Sequence, residues 1–87
     1  MTAVYLNHNN HALLVFKTGT KYAYAVSLVH ALVRVIRVPK RDLTTMRLAQ
    51  YDGAAYPLKR AVRSFKAIGK RLEITKSAKR ALCSAAN

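Results

Sequence analysis

The chain has 87 residues, a net charge of +13 from 16 Lys and Arg against three Asp and Glu, and 52% hydrophobic residues. A disordered basic tail would be poorer in apolar residues, so these numbers predict one small folded domain over residues 1–87. Three acids, three His and one Cys are too few for an acid–base site, a carboxylate metal site or a disulfide framework. We therefore expect a binding protein rather than an enzyme, with no cofactor, metal or small-molecule substrate.

The expected compartment is the cytoplasm, including a nucleoid- or ribosome-associated location. The single Cys83 has no disulfide partner in the chain, which favours a reducing environment. Residues 1–19 lack the basic and apolar regions of a signal peptide, so secretion is not expected. The uncharged runs, residues 1–16 and Tyr22–Val33 among them, are all shorter than the roughly 20 residues that span a bilayer.

The first half of the chain is typical of β-strands. Residues Tyr22, Tyr24 and Val26 alternate with small residues, and a β-branched run ends at Pro39, which cannot continue a central strand. We expect Gly19 to supply the positive φ of a tight hairpin. The pattern predicts an antiparallel meander, with the alternative of a helix over Ala25–Val35 left open. The expected strands are Thr2–Asn7, His11–Lys17, Lys21–Leu28 and Leu32–Val38.

The middle of the chain is less regular. The segment Arg41–Ala49 predicts a single helical turn followed by a short strand, Thr45–Ala49, and Tyr51-Asp52-Gly53 marks a turn. Closure of the meander by that fifth strand would give a small SH3-like barrel. Residues 1–50 are thus expected to be mainly β and residues 57–85 helical, an α+β fold.

The last third of the chain predicts two short basic amphipathic helices. Pro57 suits the first position of a helix, and Thr75 can cap the next one. The second helix has Ala78, Ala81, Leu82 and Ala85 on its apolar side. Apolar residues of the first helix recur at a spacing of three or four, which indicates a single buried stripe: Leu58, Ala61, Val62, Phe65, Ile68 and Leu72.

Most of the positive charge lies on these helices. Residues 57–87 carry nine basic residues and one acid, for a charge of +8. Like charges this close repel one another and destabilise each helix, and solubility alone does not require a face of a single sign. The pattern predicts a surface that binds the phosphates of DNA or RNA with low sequence specificity. Its residues are Lys59, Arg60, Arg63, Lys66, Lys70, Arg71, Lys76, Lys79 and Arg80.

Within this segment, residues 69–82 resemble the turn region of helix-turn-helix DNA-binding proteins. Gly69 matches a small residue, Leu72 and Ile74 match apolar ones, and Thr75 matches the start of the second helix. The chain departs from the pattern at Glu73, where Gly is common, and at position 79, where a buried aliphatic residue is usual. The resemblance implies that Lys76, Ser77, Lys79 and Arg80 face the major groove.

Two tyrosines are candidates for contact with nucleic-acid bases. Tyr22 and Tyr24 share one side of a predicted strand near Lys17 and Lys21, so exposed rings there can stack on unpaired bases. The competing interpretation is that both rings belong to the core.

The histidines and the cysteine have ordinary structural interpretations. His8 and His11 flank Asn9-Asn10 in a predicted turn, without the further ligands a metal site needs. His30 is expected in a loop or as a satisfied buried residue. Cys83 is expected to pack within a helix rather than to act as a nucleophile.

Two other functions remain open. The basic surface is also suited to an acidic protein surface, as in a small virus-encoded effector that docks on and modulates another protein. The apolar stripe of the first helix would suit an anionic membrane if that helix were undocked. A membrane partner is disfavoured, because the strands need this stripe to complete their core.

Overall fold

A computed structural model describes residues 3–85 and has an α+β fold, which confirms the predicted meander followed by two short C-terminal helices. Four antiparallel strands are followed by one helical turn, three two-residue strands, and two helices separated by a last two-residue strand. The elements are β1 Ala3–Leu6, β2 Ala12–Thr18, β3 Tyr22–Val29, β4 Leu32–Pro39, α1 Lys40–Leu43, β5 Arg47–Leu48, β6 Gln50–Tyr51, β7 Ala54–Ala55, α2 Leu58–Arg71, β8 Glu73–Ile74 and α3 Lys76–Ala85.

The main sheet is open, with six strands in the order β5-β1-β2-β3-β4-β8. The fifth strand pairs antiparallel to β1 at one edge, and β8 pairs parallel to β4 at the other. The SH3-like barrel is therefore not formed, since β5 extends one edge of the meander instead of closing it. The alternative helix over Ala25–Val35 is wrong, because these residues belong to the β3–β4 hairpin.

The sheet is buried on both faces. Successive residues of a strand point to opposite faces, so Leu14 lies under the helices whereas Leu13 and Val15 lie on the other side. The helix-side core joins Val4, Leu14, Val26 and Val33 to Ala61, Val62, Phe65, Ala78 and Leu82. The opposite core joins Leu13, Val15, Ala23, Ala25 and Val38 to Leu43 and Met46, at and just after the end of α1.

The tight turns differ in their chemistry. Asp52 and Gly53, with φ of 51° and 79°, join β6 to β7 in the positive-φ geometry that Asp-Gly favours. His30 and Ala31 make the β3–β4 turn with φ of 52° and 63°, although neither residue favours that region. Gly19 has no positive φ, so its predicted role is wrong; its N–H donates instead to the carbonyl of Tyr22 at 2.7 Å.

The helices begin and end close to the predicted positions. Pro57 is the N-cap of α2 rather than its first residue. Phe65 and Val62 are buried, as predicted from the apolar stripe. Leu72 is 45% exposed, so its place in that stripe is wrong. The helix ends at Arg71, and the chain turns away at Leu72 to form β8.

Candidate nucleic-acid interface

All 16 Lys and Arg side chains of the chain are exposed. Burial of an unpaired cation is costly, and three acids cannot neutralise 16 bases. The positive charge is therefore spread over the surface, and its arrangement on each element determines what that surface can bind.

Four of the predicted cations form one row along α2. With about 100° of rotation per residue, Lys59, Arg63, Lys66 and Lys70 fall within an arc of about 60° that excludes the buried Ala61 and Phe65. The row extends over about 16 Å at 1.5 Å per residue. Because no acidic residue lies in the first turn of α2, the positive end of the helix dipole adds to the potential of this row.

Arg60 and Arg71 lie on a different arc of α2. Arg60 is held over the ring of Tyr51, with its guanidinium carbon 4.8 Å from the ring centroid. The phenol of Tyr51, and to a smaller extent that of Tyr56, raises the pKa of Arg60 above its usual value. These two arginines are therefore separate from the row of four.

The cations of α3 lie opposite its buried face. Ala78, Ala81 and Leu82 pack on the core, and Lys76, Lys79 and Arg80 lie on the exposed side of the helix. Thr75 caps this helix as predicted, because its Oγ1 accepts a hydrogen bond from the Ala78 N–H at 3.2 Å. We call the row on α2 and the outer cations of α3 together the helix surface: Lys59, Arg63, Lys66, Lys70, Lys76, Lys79 and Arg80.

The link between α2 and α3 is held to the edge of the sheet by backbone pairing. Glu73-Ile74 forms β8, which pairs with β4, and the Thr75 N–H donates to the Val33 carbonyl at 3.0 Å. A Cβ on Gly69 would lie 3.1 Å from the Ile74 side chain, which accounts for a small residue there. Helix-turn-helix proteins usually bury an aliphatic residue at the position of Lys79, but Lys79 is exposed. The structure therefore differs from the helix-turn-helix pattern at this position.

Tyr22 and Tyr24 lie on the helix side of the sheet, at the start of β3 and outside the helix-side core. Both rings are partly buried, and both lie on the same face as the fully buried Val26. Lys17 Nζ lies 5.7 Å from the Tyr24 centroid, and the Arg37 guanidinium carbon lies 4.4 Å from the Tyr22 centroid. These four side chains, Lys17, Tyr22, Tyr24 and Arg37, are the sheet-end patch.

Arg37 was not among the predicted site residues. The β3–β4 register places it opposite Tyr24, and directly opposed residues of antiparallel strands point to the same face. The position of the turn at His30-Ala31 fixes that register, but neither residue is a turn signal. A prediction from the sequence could place Arg37 beside the tyrosines only if it located this turn exactly.

A cleft of about 300 Å³ lies between the sheet and α3. Phe16 and Val35 line it from the sheet, and Ser77, Arg80 and Ser84 line it from the helix. Val35 is two residues from Arg37 on the same strand and therefore on the same face. The sheet-end patch is thus contiguous with the side of α3 that carries Arg80.

The histidines and Cys83, the other residues considered for chemistry in the sequence, have structural positions or lie on the surface. His8 contacts the Thr45 hydroxyl, with Nε2 and Oγ1 3.3 Å apart, and His30 lies in the turn. Within residues 3–85 there is no group of three or more His, Cys, Asp or Glu that could hold a metal ion. Cys83 is exposed, so the prediction that it packs within the helix is wrong: it falls on the solvent side of α3, opposite Ala81 and Leu82.

Comparison with protein-family models, curated proteins and solved structures found no match to this chain. Among the described residues, no helix has the length and apolar character needed to cross a membrane.

Proposed function

We propose that this protein binds nucleic acid through the phosphates, using the helix surface, with low sequence specificity. The observation that carries the proposal is the row of four cations on α2. These side chains share one narrow arc, so several of them can reach one phosphate backbone together. The predicted cytoplasmic location gives the protein access to such a partner.

The energetics of the unbound protein support a polyanionic partner. Lys59 and Arg63, like Lys66 and Lys70, are four residues apart, a spacing at which like charges destabilise a helix by a few tenths of a kcal/mol per pair. A bound polyanion removes this repulsion and stabilises the folded state by mass action. The basic surface therefore has a stability cost that binding offsets.

Low specificity follows from the side chains available. Neither α2 nor α3 contains Asn or Gln over its described length, and these amides are the usual readers of adenine. Lysine contacts position a protein on the backbone without selecting a sequence. We expect unrelated sequences to bind with similar affinity.

The test is the salt dependence of duplex DNA binding. With about four to six phosphate contacts, the slope of log K against log salt should lie between about −3.6 and −5.4. Replacing both Arg63 and Lys70 with Gln should weaken binding to every sequence alike and flatten the slope by about two. Fluorescence anisotropy with labelled DNA at several salt concentrations measures both quantities.

A charge-matched control separates this surface from net charge. Arg34 lies on the opposite face of the sheet, two residues from Ile36 of the opposite core, and Arg41 lies on α1. Replacing both with Gln removes the same charge, and we expect a slope close to wild type. Equal effects of the two double variants would assign binding to net charge alone. No salt-dependent binding by the wild type would reject the proposal.

An acidic protein partner is the second candidate, and an apolar groove favours it. The groove, of about 410 Å³, runs between α2 and the sheet and is lined mainly by apolar side chains, among them Leu6, Leu28 and Phe65. Phosphate binding does not require such a groove. Asn10 also lines it, and the Arg47 guanidinium donates a hydrogen bond to Asn10 Oδ1, so a cation lies at its rim. A stoichiometric protein complex that resists nuclease and is lost in Leu28→Arg would support this function instead.

A further inference from the structure

A bulge in β2 turns Lys17 toward the tyrosines of β3. The β2–β3 register places Val15 opposite Ala25 but Lys17 opposite Tyr24, with the shift at Phe16. Had the first register continued, Lys17 would oppose Ala23 and lie on the other face of the sheet. Bulges commonly re-aim a side chain in this way. The two cations of the sheet-end patch are thus brought to one face from two different strands.

The two tyrosines add little to the core. In β3, Ala23, Ala25 and Val26 are fully buried, whereas both tyrosines are only partly buried. Neither ring belongs to either of the two core clusters of the described residues. The rings instead lie beside cations, with Arg37 over Tyr22 and Lys17 over Tyr24. The patch therefore alternates aromatic and cationic groups and leaves part of each ring exposed.

This combination suits an unpaired nucleic-acid base. An aromatic ring or the plane of an arginine guanidinium can stack on a base, and the neighbouring lysine can neutralise its phosphate. The cleft beside the patch offers the hydroxyls of Ser77 and Ser84 and the guanidinium of Arg80, which can hydrogen-bond a base edge or a sugar. A duplex buries the faces of its bases, so only a single strand can use these rings.

We infer that the sheet-end patch is a stacking site for unpaired bases, which makes single-stranded nucleic acid the preferred partner. The inference rests on the proposed nucleic-acid function. It assigns the discrimination between single strand and duplex to Tyr22, Tyr24 and Arg37, and leaves the sequence-independent phosphate contacts to the helix surface.

The first experiment uses the wild-type protein and three probes of equal length, about 12 nucleotides, within the range that one small domain covers. The probes are a single strand, the same strand with abasic residues throughout, and the duplex. We expect the base-bearing strand to bind about tenfold more tightly than the abasic strand for each base that stacks.

Failure of the stacking site and failure of the proposed phosphate-binding function would give different results in this experiment. Equal, salt-dependent binding of the base-bearing and abasic strands would overturn the stacking site and leave the phosphate function intact. No binding of any probe would reject the phosphate function itself. Both results come from the wild type, so they do not depend on a variant that folds.

The second experiment replaces Tyr22 and Tyr24 together with Leu. We expect the preference for the base-bearing strand to disappear while affinity for the abasic strand stays unchanged. Substituting Phe at both positions keeps the rings and should keep the preference. Tyr51→Leu is the control outside the patch, because Tyr51 is a tyrosine that is 50% exposed and also carries an arginine over its ring. A proportional loss of affinity for all probes in the Leu variant would contradict the stacking site.

Discussion

Cations on the outer arcs of α2 and α3 have no aromatic neighbours on the same arc, whereas those at the end of the sheet lie over tyrosine rings. A row of charges alone attracts any phosphate backbone, and its strength falls with salt. A ring adds an interaction that requires an accessible base and is less sensitive to salt. Under the two proposals, charges of one sign would serve two different recognition tasks in one small domain.

Both surfaces depend on the helix-side core. Phe65 lies at its centre and joins α2 to the sheet. We expect Phe65→Ala to lower the free energy of unfolding by about 3–5 kcal/mol, the range for large-to-small changes in a core. Thermal denaturation measures this directly, and binding at both surfaces should be lost together where the variant is unfolded.

Leu72→Ala is the matched change outside the core. Because Leu72 is 45% exposed, its truncation should shift the midpoint of unfolding by only a degree or two. If Phe65→Ala were equally mild, the helices would not be anchored through this core.

Combining changes at the two surfaces tests their independence. We expect Arg63→Gln with Lys70→Gln to weaken binding of a single strand by about tenfold or more near physiological salt. The double Leu change at Tyr22 and Tyr24 should have a separate effect of similar size. In the combined variant the two binding free energies should add within about 0.5 kcal/mol if Arg63 and Lys70 of α2 act independently of Tyr22 and Tyr24.

The salt slope gives a second measure of the same independence. Only the arginine and lysine changes should flatten it, because removing a neutral ring releases no additional counterions. A strongly non-additive combined variant would mean that the two regions bind as one continuous surface and do not have separate recognition roles.

The helical region was predictable in more detail than the sheet end. Spacing of three or four identified the buried Val62 and Phe65 of α2, because an amphipathic helix shows its buried face directly in its period. The prediction that Leu72 belongs to the buried stripe was wrong because α2 ends at Arg71, and the helical spacing does not apply beyond the end of the helix. Strand alternation likewise placed Tyr22 and Tyr24 on one face. Arg37 was missed because pairing between strands depends on register, which no period within one strand reveals.

The register itself is set by a turn with unfavourable residues, and this leads to the prediction with the smallest effect. Ala31 has a φ of 63°, a region that costs a residue with a Cβ about 1–2 kcal/mol. Ala31→Gly removes that strain but adds freedom to the unfolded chain, which costs about 0.5–1 kcal/mol. We expect a net stabilisation of about 0.5 kcal/mol, measured by denaturant unfolding. Strand binding should be unchanged, because the register that brings Arg37 to the tyrosines is kept.

The reverse substitution at the other tight turn is the control. Gly53 has a φ of 79° and a side chain added there would meet no atom within 4 Å, so Gly53→Ala introduces backbone strain without a clash. It should destabilise the protein by about 1 kcal/mol and leave binding unchanged, since β6 and β7 carry no residue of either surface. Opposite signs at the two turns would confirm that backbone conformation, not contact, limits the β3–β4 hairpin. If Ala31→Gly destabilised the protein or weakened strand binding, strain at this turn would not be what limits the hairpin that carries the sheet-end patch.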